Sequence, residues 1–173
     1  TVTSANPTVY ELLLPAMVAQ ARTTKEKPGV MNVASTAAFQ PGPLMAVYFA
    51  TKSYVLSFSE ALHEELRDSG VLVSAFCPGA TRSEFFSTDQ MIPAEAFDDE
   101  GQVKAAAEAE FHRRDAKRMD TDVAARVGYN GFRAGRAVVI PGLANQLMAQ
   151  SVRLAPRVLV RRLVKRMMAK NWE

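Results

Sequence analysis

Three residues in the first third of the chain have the types and spacing to move a proton to or from an oxygen. Ser35 closes a short apolar run, Val30 to Ala34; Tyr48 and Lys52 follow, four positions apart. Residues at i and i+4 share a helix face, so the phenol and the ammonium can point into one cleft. A free phenol titrates near pH ~10. A fixed cation beside it favours the phenolate, which brings such a group towards acid–base work at neutral pH. A hydroxyl such as that of Ser35 could hold a carbonyl or alkoxide beside the phenol, and the scheme needs no metal. Taken alone, Tyr-x-x-x-Lys also arises by chance as an ordinary surface pair on a helix.

The surrounding pattern supplies the elements that must position this trio. Gln40-Pro-Gly-Pro43 breaks the chain between Ser35 and Tyr48, giving a strand, a loop and a helix. Ser35 then stands at the carboxyl end of a strand, where open α/β sheets keep their ligands. The helix is expected from about Met45 to Ser69, with Tyr54, Val55, Phe58, Ala61, Leu62 and Leu66 as its apolar stripe and Gly70 ending it. His63 reads as a solvated or interface residue. Upstream, Asn6-Pro7 opens a helix that Pro15 should kink.

Val71 to Cys77 reads as a second strand, with Cys77 a small buried hydrophobe. Pro78-Gly-Ala-Thr-Arg-Ser83 follows, a turn whose Pro78 and Gly79 let the backbone approach a flat ligand closely. Thr121 and Asp122 cap a further helix with Gly131 and Gly135 near its end, and Ala137 to Ile140 is a third strand closed by Pro141-Gly142. Asn145 to Lys170 reads as two helices broken at Pro156. The alternation of strands and helices points to a parallel sheet with right-handed crossovers. Between them, Ala105 to Arg118 reads as a surface helix carrying a solvated His112, and Asp98-Asp99-Glu100 as a solvated charge run.

At 173 residues, 48% hydrophobic and 23% charged, the chain has the make-up of one soluble globular domain. The single cysteine excludes an intrachain disulfide, and no run approaches the ~18 apolar residues of a spanning helix. These features point to a cytoplasmic protein. Charge is unevenly spread: seven bases and no acids lie between Leu143 and Trp172, whereas 11 acids meet 5 bases between Glu84 and Asp122. The bases lack interleaved aromatics and any reader motif, so no nucleic-acid partner is expected. On the last helix Leu159, Val160, Leu163, Val164 and Met167 face one way and Arg161, Arg162, Lys165 and Arg166 the other. That pattern suits either a helix docked on its own domain or a peripheral contact with an anionic membrane through 156–170.

Asn32-Val-Ala-Ser35, with Tyr48-Phe-Ala-Thr-Lys52 after it, resembles the active-site signature of the short-chain dehydrogenases/reductases. Leu12-Leu-Leu-Pro-Ala-Met17 upstream and the Pro78-Gly turn downstream extend the likeness. The resemblance implies a Rossmann-like, doubly wound parallel sheet with helices on both faces and about three strands in this chain. It implies Tyr48 as catalytic acid/base, Lys52 as its modulator and ligand of the nicotinamide ribose, and Ser35 as the residue that orients the substrate oxygen. Tyr48, Lys52, Pro78, Gly79, Thr81 and Ser83 would meet the cofactor, NADP or NAD with NADP favoured. Ser83 stands where the family has Thr, and Thr81 where it has Val or Ile. The family also implies a substrate lid over 84–120, a subunit contact through the first two helices giving a homodimer or tetramer, and, from the tail, a hydrophobic alcohol or carbonyl substrate.

No G-x-x-x-G-x-G turn occurs, although the family grips the cofactor pyrophosphate with one. The chain is therefore expected to be a C-terminal portion of a longer oxidoreductase: 1–142 part of its catalytic domain, 143–173 a basic helical extension, with a bare strand edge. The competing expectation is a non-catalytic module that binds a membrane or partner through its basic tail.

Overall fold

The computed structural model describes residues 7–82 and 118–169. Among them a three-stranded parallel sheet forms in the order β1 (Gly29–Val33), β2 (Leu72–Phe76), β3 (Val138–Val139). Val30 faces Val73 across the first pair, and Phe76 faces Val139 across the second. The helices are α1 (Pro7–Thr23), α2 (Ala46–Glu65), α3 (Thr121–Arg133), α4 (Leu143–Leu154) and α5 (Arg157–Ala169). The doubly wound α/β class is thereby established.

Strand alternation divides the core. Val30, Ala75, Cys77, Val138 and Ile140 pack with Tyr10, Val55 and Leu56 of α1 and α2. Met31, Val33, Phe76 and Val139 pack with Ala124 of α3. Side chains of successive residues leave a strand on opposite faces, so one sheet is covered twice. A third cluster lies apart from these two. There α5 buries Val160 and Val164 with Ala37, in a 3₁₀ turn (Thr36–Phe39), and Phe49 of α2. Burying two valines contributes roughly 1.5–3 kcal/mol each, which holds the basic helix against the domain.

A buried polar chain ties the first layer together. The Tyr10 hydroxyl donates to Asn32 Oδ1, Asn32 Nδ2 donates to Ser59 Oγ at 2.9 Å, and Ser59 donates to the Val55 carbonyl at 2.6 Å. Asn32 and Ser59 are buried, and leaving any member unpartnered would cost about 1–3 kcal/mol.

Several elements differ from expectation for physical reasons. The second helix stops at Glu65, and a 3₁₀ turn over Arg67–Ser69 completes the descent to Gly70, whose φ of 82° is left-handed. His63, read as solvated or at an interface, is half-buried, and its Nδ1 lies 2.7 Å from the Val73 carbonyl, pinning α2 to β2. Asp120, not Thr121, stands at the cap of α3 and makes no side-chain cap bond; its carboxylate pairs with Arg82, whose carbonyl accepts from the Thr121 hydroxyl. The third strand keeps only two residues, the two that pair with Ala75 and Phe76. The expected helix over 105–118, His112, the Asp98–Glu100 run and nearly all of the 84–120 lid lie outside the described residues.

Gly131 lies in the last turn of α3, near its end as expected, and a Cβ there would stand 2.6 Å from Val139 Cγ2. Alanine in a helix interior gains about 1 kcal/mol over glycine from propensity, whereas overpacking a core contact costs about 1–3 kcal/mol. Packing should win: Gly131→Ala is expected to lower the urea midpoint by an amount equivalent to about 1–2 kcal/mol, and a raised midpoint would show that α3 can lift off the sheet freely.

Candidate active site

Ser35 follows directly on the buried Ala34 that ends the β1 run. Its backbone is extended (φ −171°, ψ 163°), and its Oγ accepts from the Ala37 N–H at 3.1 Å, so it caps the 3₁₀ turn. Backbone ties fasten it to the end of the neighbouring strand: Thr36 N–H donates to the Pro78 carbonyl at 2.9 Å, and Ala34 N–H to Phe76 at 2.8 Å. The Ser35 hydroxyl itself reaches the Pro78 carbonyl only at 3.5 Å. A contact that long is weak, which leaves the hydroxyl hydrogen able to turn towards another acceptor.

Lys52 comes to the same place from α2. One of its three N–H groups donates to the Val33 carbonyl, the last of β1, at 3.0 Å. Its Nζ lies 5.8 Å from the centre of the Tyr48 ring. Tyr48 is half-buried, packs edge-on to Phe49 with ring centres 5.9 Å apart, and leans on the cluster that holds Val160 and Val164. Around this pair the helix is sewn to the turn after Ser35 by Ser53 Oγ, which donates to the Ala38 carbonyl at 2.8 Å. Gly42 is glycine for a local reason: a Cβ there would overlap the buried Phe49 ring. Leu44, in the same loop, holds a left-handed φ of 72°, a strained setting for a bulky residue that is typical of functional loops.

Cys77 lies beneath. Burial pushes its thiol up to about 12, against the lowering effects of the Ser35 N–H and the Lys52 charge. It is therefore a neutral packing residue, as expected. Burial also holds the Lys52 ammonium below its ordinary value, with Cys77 opposing that shift.

The remaining expected residues are spread along the loop after β2. The Pro78 carbonyl is the tie just described. Gly79 packs against a residue that the sequence did not mark, Asn145 in the first turn of α4: a Cβ on Gly79 would come 2.6 Å from its Nδ2. That carboxamide is held by a 2.7 Å bond to the Pro141 carbonyl. The only sequence signal for Asn145 was its place just after Pro141-Gly142, beyond the third strand. Thr81 lies further out, forming an isolated parallel bridge to Met119, with Arg82 paired to Asp120 at 2.6 Å. Ser83 lies outside the described residues. Among the described residues no group of His, Cys, Asp or Glu could hold a metal.

A parallel sheet covered on both faces, with a serine, a tyrosine and a desolvated lysine gathered at the carboxyl end of a strand, defines an open α/β protein whose site sits at the strand ends. The short chain dehydrogenase family matches residues 5–91, and the chain belongs to that family. Human very-long-chain 3-oxoacyl-CoA reductase is 40% identical over 68 residues, 39% of this chain and 20% of that protein. The short-chain dehydrogenase of Sphingobium yanoikuyae, solved with NADPH, superposes with a TM-score of 0.53 at 26% identity over 79% of this chain and 45% of that one. A Burkholderia phymatum short chain dehydrogenase/reductase solved with NAD shares the fold, with a TM-score of 0.60 at 21% identity over 82% and 50%. The matched part thus spans about a fifth of that curated relative and about half of these two solved chains.

Two outcomes follow. Gly79→Ala should destabilise the chain by about 1–3 kcal/mol, and adding Asn145→Ala should recover part of that loss in a double-mutant cycle; strict additivity would mean the two do not touch. For Lys52 the folded form holds its proton less tightly than the unfolded chain, so stability rises with pH between the lowered value and 10.5. At neutral pH the buried charge is a cost, and Lys52→Met should melt no lower than the parent; a clear fall in Tm would show that the Val33 bond outweighs desolvation.

Proposed function

We propose that this chain carries the catalytic residues of an NAD(P)-dependent oxidoreductase that interconverts an alcohol and a ketone or aldehyde. The observation that carries the reading is the convergence of Lys52 and Ser35 on the last residues of β1, with the Tyr48 ring 5.8 Å from the ammonium. NADP or NAD is the cofactor, with NADP favoured; it supplies or accepts the hydride at C4 of its nicotinamide. The residues present suit its nicotinamide–ribose end: one Lys52 N–H is taken by Val33, and the others are of the right kind for ribose hydroxyls. Pro78, Gly79 and Thr81 lie in the loop that would run beside it, and Ser83 is the further position that the family likeness assigns to it.

In the reductive direction Tyr48 donates its hydroxyl proton to the substrate oxygen as negative charge develops there. Ser35 turns its hydroxyl from the long contact with Pro78 to donate to the same oxygen. Lys52, half-buried and charged, stabilises the anion left on Tyr48 more strongly than an exposed cation could. In the oxidative direction the same groups run in reverse, with Tyr48 as base.

A hydrophobic substrate is supported by exposed apolar residues close to Tyr48 in the chain. Leu44 and Val47, just ahead of Tyr48, are 60% and 78% exposed. The relative's name supports a 3-oxoacyl thioester as the first substrate class to try. The homodimer or tetramer suggested by the family likeness would use α1 and α2, where Leu12, Leu13 and Tyr54 are exposed beside an apolar groove lined by Tyr10, Leu14, Phe58 and Leu62.

The test is NAD(P)H oxidation with a panel of 3-oxoacyl thioesters and aliphatic ketones. Tyr48→Phe should lower kcat by about 10²–10⁴-fold, the usual worth of a positioned acid, with folding intact. Unchanged kcat in Tyr48→Phe would remove the assignment.

A further inference from the structure

We propose that α5 docks the protein on an anionic lipid bilayer. The helix carries Arg157, Arg161, Arg162, Lys165 and Arg166 and no acid. Neither of the two ion pairs found among the described residues involves any of these bases. The domain uses only one edge of the helix's apolar half, burying Val160 and Val164. Next to that edge, Leu159, Leu163 and Met167 repeat every four residues and remain 59%, 55% and 53% exposed. Residues at this spacing form one stripe on a helix. The stripe therefore runs between the docked edge and the arc that carries Arg162 and Arg166.

Charge decides the occupant. An anionic protein surface or a free phosphate would satisfy the bases but leave the leucines in water. A second copy of this helix would set like charges against each other, five from each. A bilayer with acidic headgroups satisfies both: the stripe enters the acyl boundary while the long arginine and lysine stems reach back to phosphates. The placement also serves the proposed reaction, because the buried edge of α5 leans on the cluster that includes Tyr48. An acyl substrate lying in the membrane would meet the site from that side. Only this last point rests on the redox reading; the docking itself does not.

Co-sedimentation of the full chain with phosphatidylcholine vesicles, with and without phosphatidylserine, tests the idea without any turnover. Binding is expected only with phosphatidylserine and should weaken as salt rises. The combined R161Q, R162Q, K165Q and R166Q variant should bind at least about tenfold more weakly, and so should L159S with L163S; all six positions are exposed, so circular dichroism and melting should match the parent. Removing the helix is avoided, since that would bare Ala37 and Phe49. Equal binding to neutral vesicles, or none to acidic ones, would overturn the proposal. So would loss with the charge variant alone, which would mark a plain polyanion patch, or a change of oligomer size in L159S with L163S at unchanged vesicle binding.

Discussion

The site depends on one buried contact: a lysine ammonium resting on the last carbonyl of a strand. Lys52 spends one donor on Val33 at 3.0 Å, and in doing so fixes the start of α2 against the end of β1. Burial disfavours its charge, so the bond to Val33 is made against a desolvation cost. What it gives is a desolvated cation beside Tyr48 and next to Ser35, where a charge acts more strongly than it would in water.

Everything else serves to hold that corner still. The sheet is covered on both faces, so neither β1 nor β2 can shift without disturbing two clusters. Close approach is secured by residues without side chains: Gly42 under Phe49, Gly79 under Asn145, Gly131 under Val139. Polar ties do the same across layers. His63 binds α2 to β2, Ser53 binds α2 to the turn after Ser35, and the Tyr10–Asn32–Ser59 chain binds α1, β1 and α2. Helix α5 adds a wall beside Tyr48 while keeping an apolar and basic surface outside.

The parts of this arrangement that were legible in the sequence are the local ones. Strand, loop and helix around Ser35, Tyr48 and Lys52 follow from an apolar run, a Pro-Gly-Pro break and an i, i+4 spacing. The parallel α/β class follows from alternating elements, and the break at Pro156 from proline itself. Contacts between distant segments leave no such trace. Asn145 meets Gly79 across 66 positions, and nothing in either neighbourhood announces it. The close packing of Gly131 was not legible because its partner, Val139, lies on another element. The bond made by His63, read as solvated or at an interface, was not legible because its acceptor is a backbone carbonyl, which every residue possesses. The third strand looked longer because apolar character outlasts the few backbone bonds that its neighbour offers.

The central claim is that a nicotinamide nucleotide lies against the carboxyl ends of β1 and β2, with its ribose on Lys52. Titrating the ¹⁵N-labelled chain with NADPH and following backbone amide shifts tests it most directly. The account predicts movement at Ser35, Thr36, Lys52 and Gly79 while Leu14 and Phe58, in the groove between α1 and α2, stay still. Shifts confined to that groove, or no shift at the strand ends at any NADPH concentration, would contradict it.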